Sequence, residues 1–322
     1  MELTAVTFFD LVRDEMRLVE AQLRTTIPAQ PEALSVAVAR LINAGGKRLR
    51  PVLALLSSRL FECDLDKAVC VAAAVETLHT ATLVHDDLVD GSLLRRGIRT
   101  LNAQWSPSVT VLTGDYLFAR AAAFAAQTDS IAVVREFSNS LQVIIEGEIN
   151  QMFAGRGEAS REAYFARIYA KTAVLFALSA HTPALLSCSS PGVGEALRTF
   201  GREMGIAFQI MDDILDFTGD EAKLGKPVGS DLRQGLFTLP SLCYLESNPD
   251  DPDLVAVLGG SRNTRTLARL TQTIRQSSAI GAARREAEAY VARAQAALAQ
   301  APDSAHRRAL AEMADYVIRR NL

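Results

Sequence analysis

The stretch Cys70–Val84, CVAAAVETLHTATLV, carries a single charge, Glu76. Its alanines and leucines favour a helix, and a helix apolar on every side has no face to offer to water. Such an element belongs at the centre of a bundle, wrapped by others. It runs directly into DDLVD (86–90), and the basic pair Arg95 and Arg96 follows at once. A second run, GIAFQIMDDILDF (205–217), repeats the pattern of an apolar helix ending in aspartates.

The rest of the chain agrees with a helical bundle. β-branched alternation and tight hairpin turns are nearly absent, which predicts an all-α chain. Periodic segments fall at 32–44, 65–90, 108–127, 130–154, 161–188, 194–218, 264–279 and 281–320, and the N-terminal MELTAVTFFDLVRDEMRLVE reads as an amphipathic helix. Gly/Pro/Ser punctuation separates them at GGKRLRP, GSLLRRG, AGRGEAS, SSPGVG, GKPVGS and NPDDPD. With no low-complexity linker and no solenoid repeat, residues 1–322 read as one domain of ten or more helices.

Charge and cysteine usage narrow the function. A net charge of −3 gives no general attraction to nucleic acid or acidic membranes, so any anion must be held by a local basic cluster. Cys63, Cys70, Cys188 and Cys243 are scattered, as in a reduced cytoplasmic protein without a zinc site. The acidic N-terminus is not a signal peptide, and no uncharged run of membrane-spanning length is present.

Helical spacing turns the aspartates into pairs. Asp86 and Asp90, and likewise Asp212 and Asp216, stand four residues apart on one face. Carboxylates so placed repel unless a cation sits between them, and magnesium suits them, since it takes one or two carboxylates plus water and phosphate oxygens. One such motif alone is most simply a solvated acidic turn; two, each ending an apolar helix, argue for metal. An EF-hand is excluded, because its 12-residue loop pattern is missing. His79 lies two turns before Asp86, and Gln209 one turn before Asp212, on the same faces. Basic clusters complete the set: Lys47, Arg48 and Arg50; Arg95 and Arg96; Lys171 beside Thr172; Lys223 and Lys226. Arginine forks and lysine point charges bind phosphate. Carboxylates for magnesium, cations for phosphate and apolar helices beneath them point to a diphosphate with a hydrocarbon end.

At this point the chain resembles the trans-type isoprenyl diphosphate synthases, the polyprenyl synthetase family. GGKRLRP, ETLHTATLVHDDLVDGSLLRRG, GDYLFARA, EGEINQ, YAKTAVLF, FQIMDDILDF and GKPVGSDLRQGLFTLP occur in family order over nearly the whole chain. The resemblance implies the all-α isoprenoid synthase fold around a central catalytic cavity, a homodimer, and condensation of isopentenyl diphosphate with an allylic diphosphate using up to three Mg²⁺. Lys47, Arg50, His79 and Arg96 would hold isopentenyl diphosphate. Asp86 and Asp90 would bind the metals that grip the allylic diphosphate, helped by Arg95, Lys171 and Lys226, and Asp212 with Asp216 would hold a third. Thr172 and Gln209, with Lys171, would face the reacting carbon, and the loop 220–235 would form a lid.

Two departures from the family pattern stand out. Gly91 replaces a frequent acidic residue, which predicts a looser loop under Arg95 and Arg96, and Leu236 replaces a frequent lysine, which predicts one weakened diphosphate contact. The tail of the product would run down the helix ending at Asp86. At about 1.5 Å per residue, Ala81 lies about 7.5 Å below Asp86, Leu78 about 12 Å and Val75 about 16.5 Å. Relatives making short products place a bulky aromatic at Ala81 or Thr82, so two small residues there predict a product of C30 or longer, with geranylgeranyl diphosphate as the alternative. Met152 and Phe153 are the expected floor. A class I terpene cyclase shares a DDxxD but carries a different second metal motif, and a non-catalytic partner subunit would have lost the aspartates.

Overall fold

The computed structural model describes residues 7–43, 46–95, 98–153, 159–187, 190–219 and 228–319. The chain divides into two compact units. The first comprises residues 1–140, 175–201 and 297–313; the second comprises 141–174, 202–296 and 314–322.

The first unit is organised by α4 (Leu65–Val89), against which α1 (Arg13–Arg24), α3 (Leu49–Ser58) and α5 (Pro107–Ala126) pack. Asp64 starts α4 by accepting hydrogen bonds from the Asp66 and Lys67 amides at 2.9 and 3.2 Å. Val71, Ala72, Ala73, Ala74, Val75, Thr77 and Leu78 are all buried, and at about 100° per residue they point to every side of the helix. By length and composition α4 could cross a membrane; its burial identifies it instead as a core helix. The approach of α5 depends on Gly114: a Cβ there would lie 2.1 Å from His85 Nε2. His85 also meets the Val111 carbonyl at 3.1 Å and stands edge-on to Phe118.

The remaining helices of this unit are α2 (Glu32–Asn43) and portions of those that run into the second. A two-residue hairpin, β1 (Leu94–Arg95) and β2 (Ile98–Arg99), follows α4, with Leu94 opposite Arg99 and Arg95 opposite Ile98. The next helices are α6 (Ile131–Phe153) and α7 (Arg161–Ile168), then a π-helical turn (Tyr169–Ala173) leading into α8 (Val174–Leu185) and α9 (Pro191–Thr218).

In the second unit, α10 (Ser230–Gln234), α11 (Leu239–Ser247) and α12 (Pro252–Leu258) each pack on α13 (Thr264–Gln276), and α11 also meets α7. Arg161 ties α7 to Glu246 and to Glu286 of α14 (Ala279–Leu298).

Most sequence-expected helices are present, with boundaries shifted by a few residues. The expected element 281–320 is instead two helices, α14 and α15 (Ala305–Arg319), because Pro302 interrupts the backbone hydrogen bonding. GGKRLRP is only partly a break: Leu49 and Arg50 already belong to α3. Helices α10 to α12 are short and were not separated by periodicity.

Candidate active site

The last turn of α4 sorts its aspartates. Asp86 is half-buried and Asp90 exposed, while Asp87 is 6% exposed and accepts a hydrogen bond from Arg95 Nε at 2.8 Å, with Arg95 Nη2 ion-paired to the same oxygen at 2.8 Å. The helix closes on Gly91 at φ +63°: the Gly91 amide donates to the Leu88 carbonyl and the Ser92 amide to the Asp87 carbonyl. This is a Schellman termination, in which a left-handed residue satisfies the orphaned carbonyls at the helix end. The expectation that Gly91 loosens the loop is therefore corrected: no side chain fits this backbone with less strain. Beyond it, Thr100 Oγ1 and Asn102 Nδ2 both donate to the Ser92 carbonyl, at 2.7 and 3.0 Å, and tether the hairpin that carries Arg95. Arg96 lies outside the described residues.

The basic segment before α3 also divides. Arg48, at φ +51°, turns inward to bind Glu76 at 2.6 Å, Glu20 at 2.9 Å and the Ile42 carbonyl. Glu76 is the charge inside the apolar run, and Arg48 is the reason it can be buried. Burial alone would lower the Arg48 pKa; the two carboxylates raise it above its ordinary value. Lys47 stays exposed, and Arg50 is half-buried with its guanidinium 4.7 Å from the Phe176 ring centre. His79 is half-buried, and its carbonyl accepts from Thr82 Oγ1 at 2.8 Å.

In the second unit the π-helical turn inserts an extra residue at YAKTA, a device that re-aims side chains and recurs at functional sites. From it, Lys171 Nζ reaches Glu148 at 2.8 Å and Thr172 Oγ1 donates to Gln209 Oε1 at 2.8 Å. Gln209 Nε2 donates to Asp213 at 2.8 Å, and Tyr164 of α7 donates to the other Asp213 oxygen at 2.7 Å. Burial pushes the Asp213 carboxyl up to about 8 and the Asp231 charge adds to the rise, while the Tyr164 and Gln209 hydrogen bonds pull it partly back.

Asp212 is half-buried. Asp216 is 2% exposed and accepts from Ser230 Oγ at 2.7 Å and the Asp231 amide at 3.3 Å, holding the start of α10. Lys223, Lys226 and most of the expected lid, 220–227, lie outside the described residues.

Of the tail-lining candidates, Ala81, Leu78 and Val75 are buried in the core of the first unit and Thr82 is half-buried. Met152 and Phe153 are 65% and 86% exposed at the end of α6, so the expectation of a buried floor there is corrected. Sequence reasoning had no role for Asp87, Glu148 or Tyr164. The doubled aspartates were the available clue, since adjacent helical residues point about 100° apart and cannot share one face.

Among the described residues, no three histidine, cysteine or acidic side chains converge on a point where protein alone would hold a metal. Pairs of carboxylates are nonetheless a fit for magnesium, which completes its shell with water and substrate phosphate.

An all-α chain with paired aspartates ending buried helices, and cationic side chains nearby in sequence, defines a class of prenyl-transferring enzymes. Residues 31–276 match the family model described as polyprenyl synthetase. Heptaprenyl diphosphate synthase component 2 of Bacillus subtilis is 35% identical over 313 residues, covering 97% of this chain and 90% of the relative. The solved heptaprenyl diphosphate synthase of Staphylococcus aureus superposes with a TM-score of 0.90 at 33% identity, covering 97% of this chain and 99% of that one. A polyprenyl synthase of Caulobacter crescentus, solved with calcium and isoprenyl diphosphate, has a TM-score of 0.90 at 36% identity, covering 97% of each chain. The chain belongs to the polyprenyl synthetase family of prenyltransferases, and its fold is the isoprenoid synthase fold.

Proposed function

We propose that the chain catalyses Mg²⁺-dependent head-to-tail condensation of isopentenyl diphosphate with an allylic diphosphate, giving a trans-polyprenyl diphosphate of C30 or longer. The observation that carries this reading is the sorting at the end of α4: Asp87 is withdrawn onto Arg95, while Asp86 and Asp90, one turn apart, keep solvent-facing surface.

Asp86 and Asp90, with Asp212 of the second motif, are the residues that would hold up to three Mg²⁺; Asp216, buried and accepting from Ser230 and the Asp231 amide, is committed to the start of α10 instead. When bound, the metal supplies charge stabilisation for the departing diphosphate. Lys47, Arg50, His79 and Arg96 bind isopentenyl diphosphate; Arg95, Lys171 and Lys226 bind the allylic diphosphate. Thr172 and Gln209 turn oxygen dipoles toward the allylic carbon as positive charge develops there, a preorganised electrostatic effect. Water has to be kept from quenching that carbon. Ala81, Thr82, Leu78 and Val75 make room for the growing tail. The named heptaprenyl relatives support a long product.

Residues 1–322 act as one catalytic domain in this reading, supported by unit boundaries that fall inside α6, α8, α9, α14 and α15. The enzyme works in the cytoplasm as a homodimer, a reading supported by exposed Val109, Val111 and Leu112 on α5. A second reading, a catalytic subunit that needs a different partner chain, is favoured by the "component 2" in the name of the Bacillus subtilis relative.

Incubating the purified chain with isopentenyl diphosphate, farnesyl diphosphate and Mg²⁺, then separating the products, tests these points together. Products of C30 or longer are expected. A ladder stopping at C20 overturns the length, and a cyclic hydrocarbon overturns the reaction. No consumption of isopentenyl diphosphate by the chain alone favours the partner-dependent reading.

A further inference from the structure

We propose that Tyr164 is a positioning residue for the condensation, acting through Asp213 to hold the Gln209 amide with its oxygen toward Thr172. The inference rests on the functional reading above, in which Gln209 and Thr172 face the reacting carbon.

Four side chains from three segments form one continuous chain of hydrogen bonds. Tyr164 Oη donates to Asp213 Oδ2 at 2.7 Å, Gln209 Nε2 donates to Asp213 Oδ1 at 2.8 Å, and Thr172 Oγ1 donates to Gln209 Oε1 at 2.8 Å. Asp213 accepts at both oxygens in this arrangement, from Tyr164 at one and from Gln209 at the other. Its Oδ1 therefore takes the NH₂ side of the Gln209 amide, which leaves the carbonyl on the Thr172 side.

An amide turned the other way would present its N–H dipole where positive charge develops, raising the barrier by opposing the cation. Free glutamine flips between the two orientations at little cost, so the orientation has to be imposed by a neighbour. Asp213 can impose it only while its own carboxylate is held, and Tyr164 supplies the second hydrogen bond that holds it. Tyr164 is 1% exposed, with Phe165 against it at 5.1 Å between ring centres and the Arg167 guanidinium 5.6 Å from its ring centre, so the phenol itself has little freedom. Tyr164 lies in α7, about two turns before Lys171 and Thr172, which the π-helical turn carries.

The test compares Tyr164→Phe, Asp213→Asn, Gln209→Leu and the Tyr164→Phe/Gln209→Leu double variant of the full chain, assayed with isopentenyl diphosphate, farnesyl diphosphate and Mg²⁺. Tyr164→Phe is expected to lower kcat about tenfold or more with both KM values within about twofold, because only the developing charge feels the amide's orientation. The double variant is expected to match Gln209→Leu alone, since a residue acting through another adds nothing once that other is gone. Asp213→Asn keeps the side-chain shape, removes one acceptor, and is expected to show the same kcat-selective loss.

Wild-type kcat in Tyr164→Phe, or losses that multiply in the double variant, overturns the positioning role while leaving Gln209's own role standing. Wild-type kcat in Gln209→Leu overturns that role instead. A fall in melting temperature without a kcat-selective loss marks Tyr164 as merely structural and also overturns the proposal.

Discussion

Arg95 gives two of its nitrogens to one oxygen of Asp87, both at 2.8 Å, and so takes the middle aspartate out of the acidic cluster. The two neighbours then have different jobs from the residue between them. Asp87→Ala is expected to lower stability by about 1–3 kcal/mol, the cost of leaving a charged partner unpaired. Asp86→Ala is expected to cut Mg²⁺-dependent turnover about 100-fold or more. Thermal melting and steady-state kinetics on both variants check the contrast.

Arg48 lies in the same basic segment as Lys47 and Arg50 but is committed to buried Glu76. Arg48→Ala strands that carboxylate in the core, which typically costs about 3–5 kcal/mol. Lys47→Ala, at an exposed position, is expected to raise the KM for isopentenyl diphosphate without a comparable loss in melting temperature. Denaturant titration beside KM measurements distinguishes the two.

Gly91 occupies a left-handed backbone position at the end of α4. Gly91→Ala is expected to cost about 1–2 kcal/mol, and Gly91→Asn less, because asparagine tolerates that conformation better. The order of melting temperatures, Gly above Asn above Ala, is the readout.

Ala81 is buried at the level where the tail would pass. Ala81→Phe is expected to shorten the product and to cost about 1–3 kcal/mol through overpacking. An unchanged product ladder would remove Ala81 from the tail's path.

Glu136 of α6 supplies a pH dependence remote from the aspartate motifs. Burial pushes its carboxyl up, but His181, 3.6 Å away, and Arg198, at 2.7 Å, outweigh this and hold it below the ordinary carboxylate range. A depressed folded pKa means that the stabilisation is present above the unfolded value of about 4.3 and is lost as pH falls through the folded value. Melting temperature measured downward from pH 6 is expected to fall more steeply in the wild type than in Glu136→Gln.

The helical class, the two acidic motifs and the family were legible because each depends on local spacing. The i, i+4 rule pairs Asp86 with Asp90 and Asp212 with Asp216 whatever surrounds them, and an apolar run with one charge reads as a helix with no face for water. Even so, spacing could not say that Glu76 is neutralised by Arg48, which stands 28 residues earlier in the chain.

Tertiary packing decided which charged residues are buried against partners from distant segments. Arg48 and Arg50 look alike in GGKRLRP; one caps a helix in a left-handed conformation and turns inward, and the other does not. Gly91 looked like a loss until the helix end showed that only its φ closes α4 there. Tyr164 carried no motif at all, and its place beside Asp213 comes from folding α7 against α9. Helical periodicity acts over a few residues of chain, so the sequence determined the elements and their acidic ends. Hydrogen bonds between segments far apart in the chain form only when the core closes, and those assigned the roles.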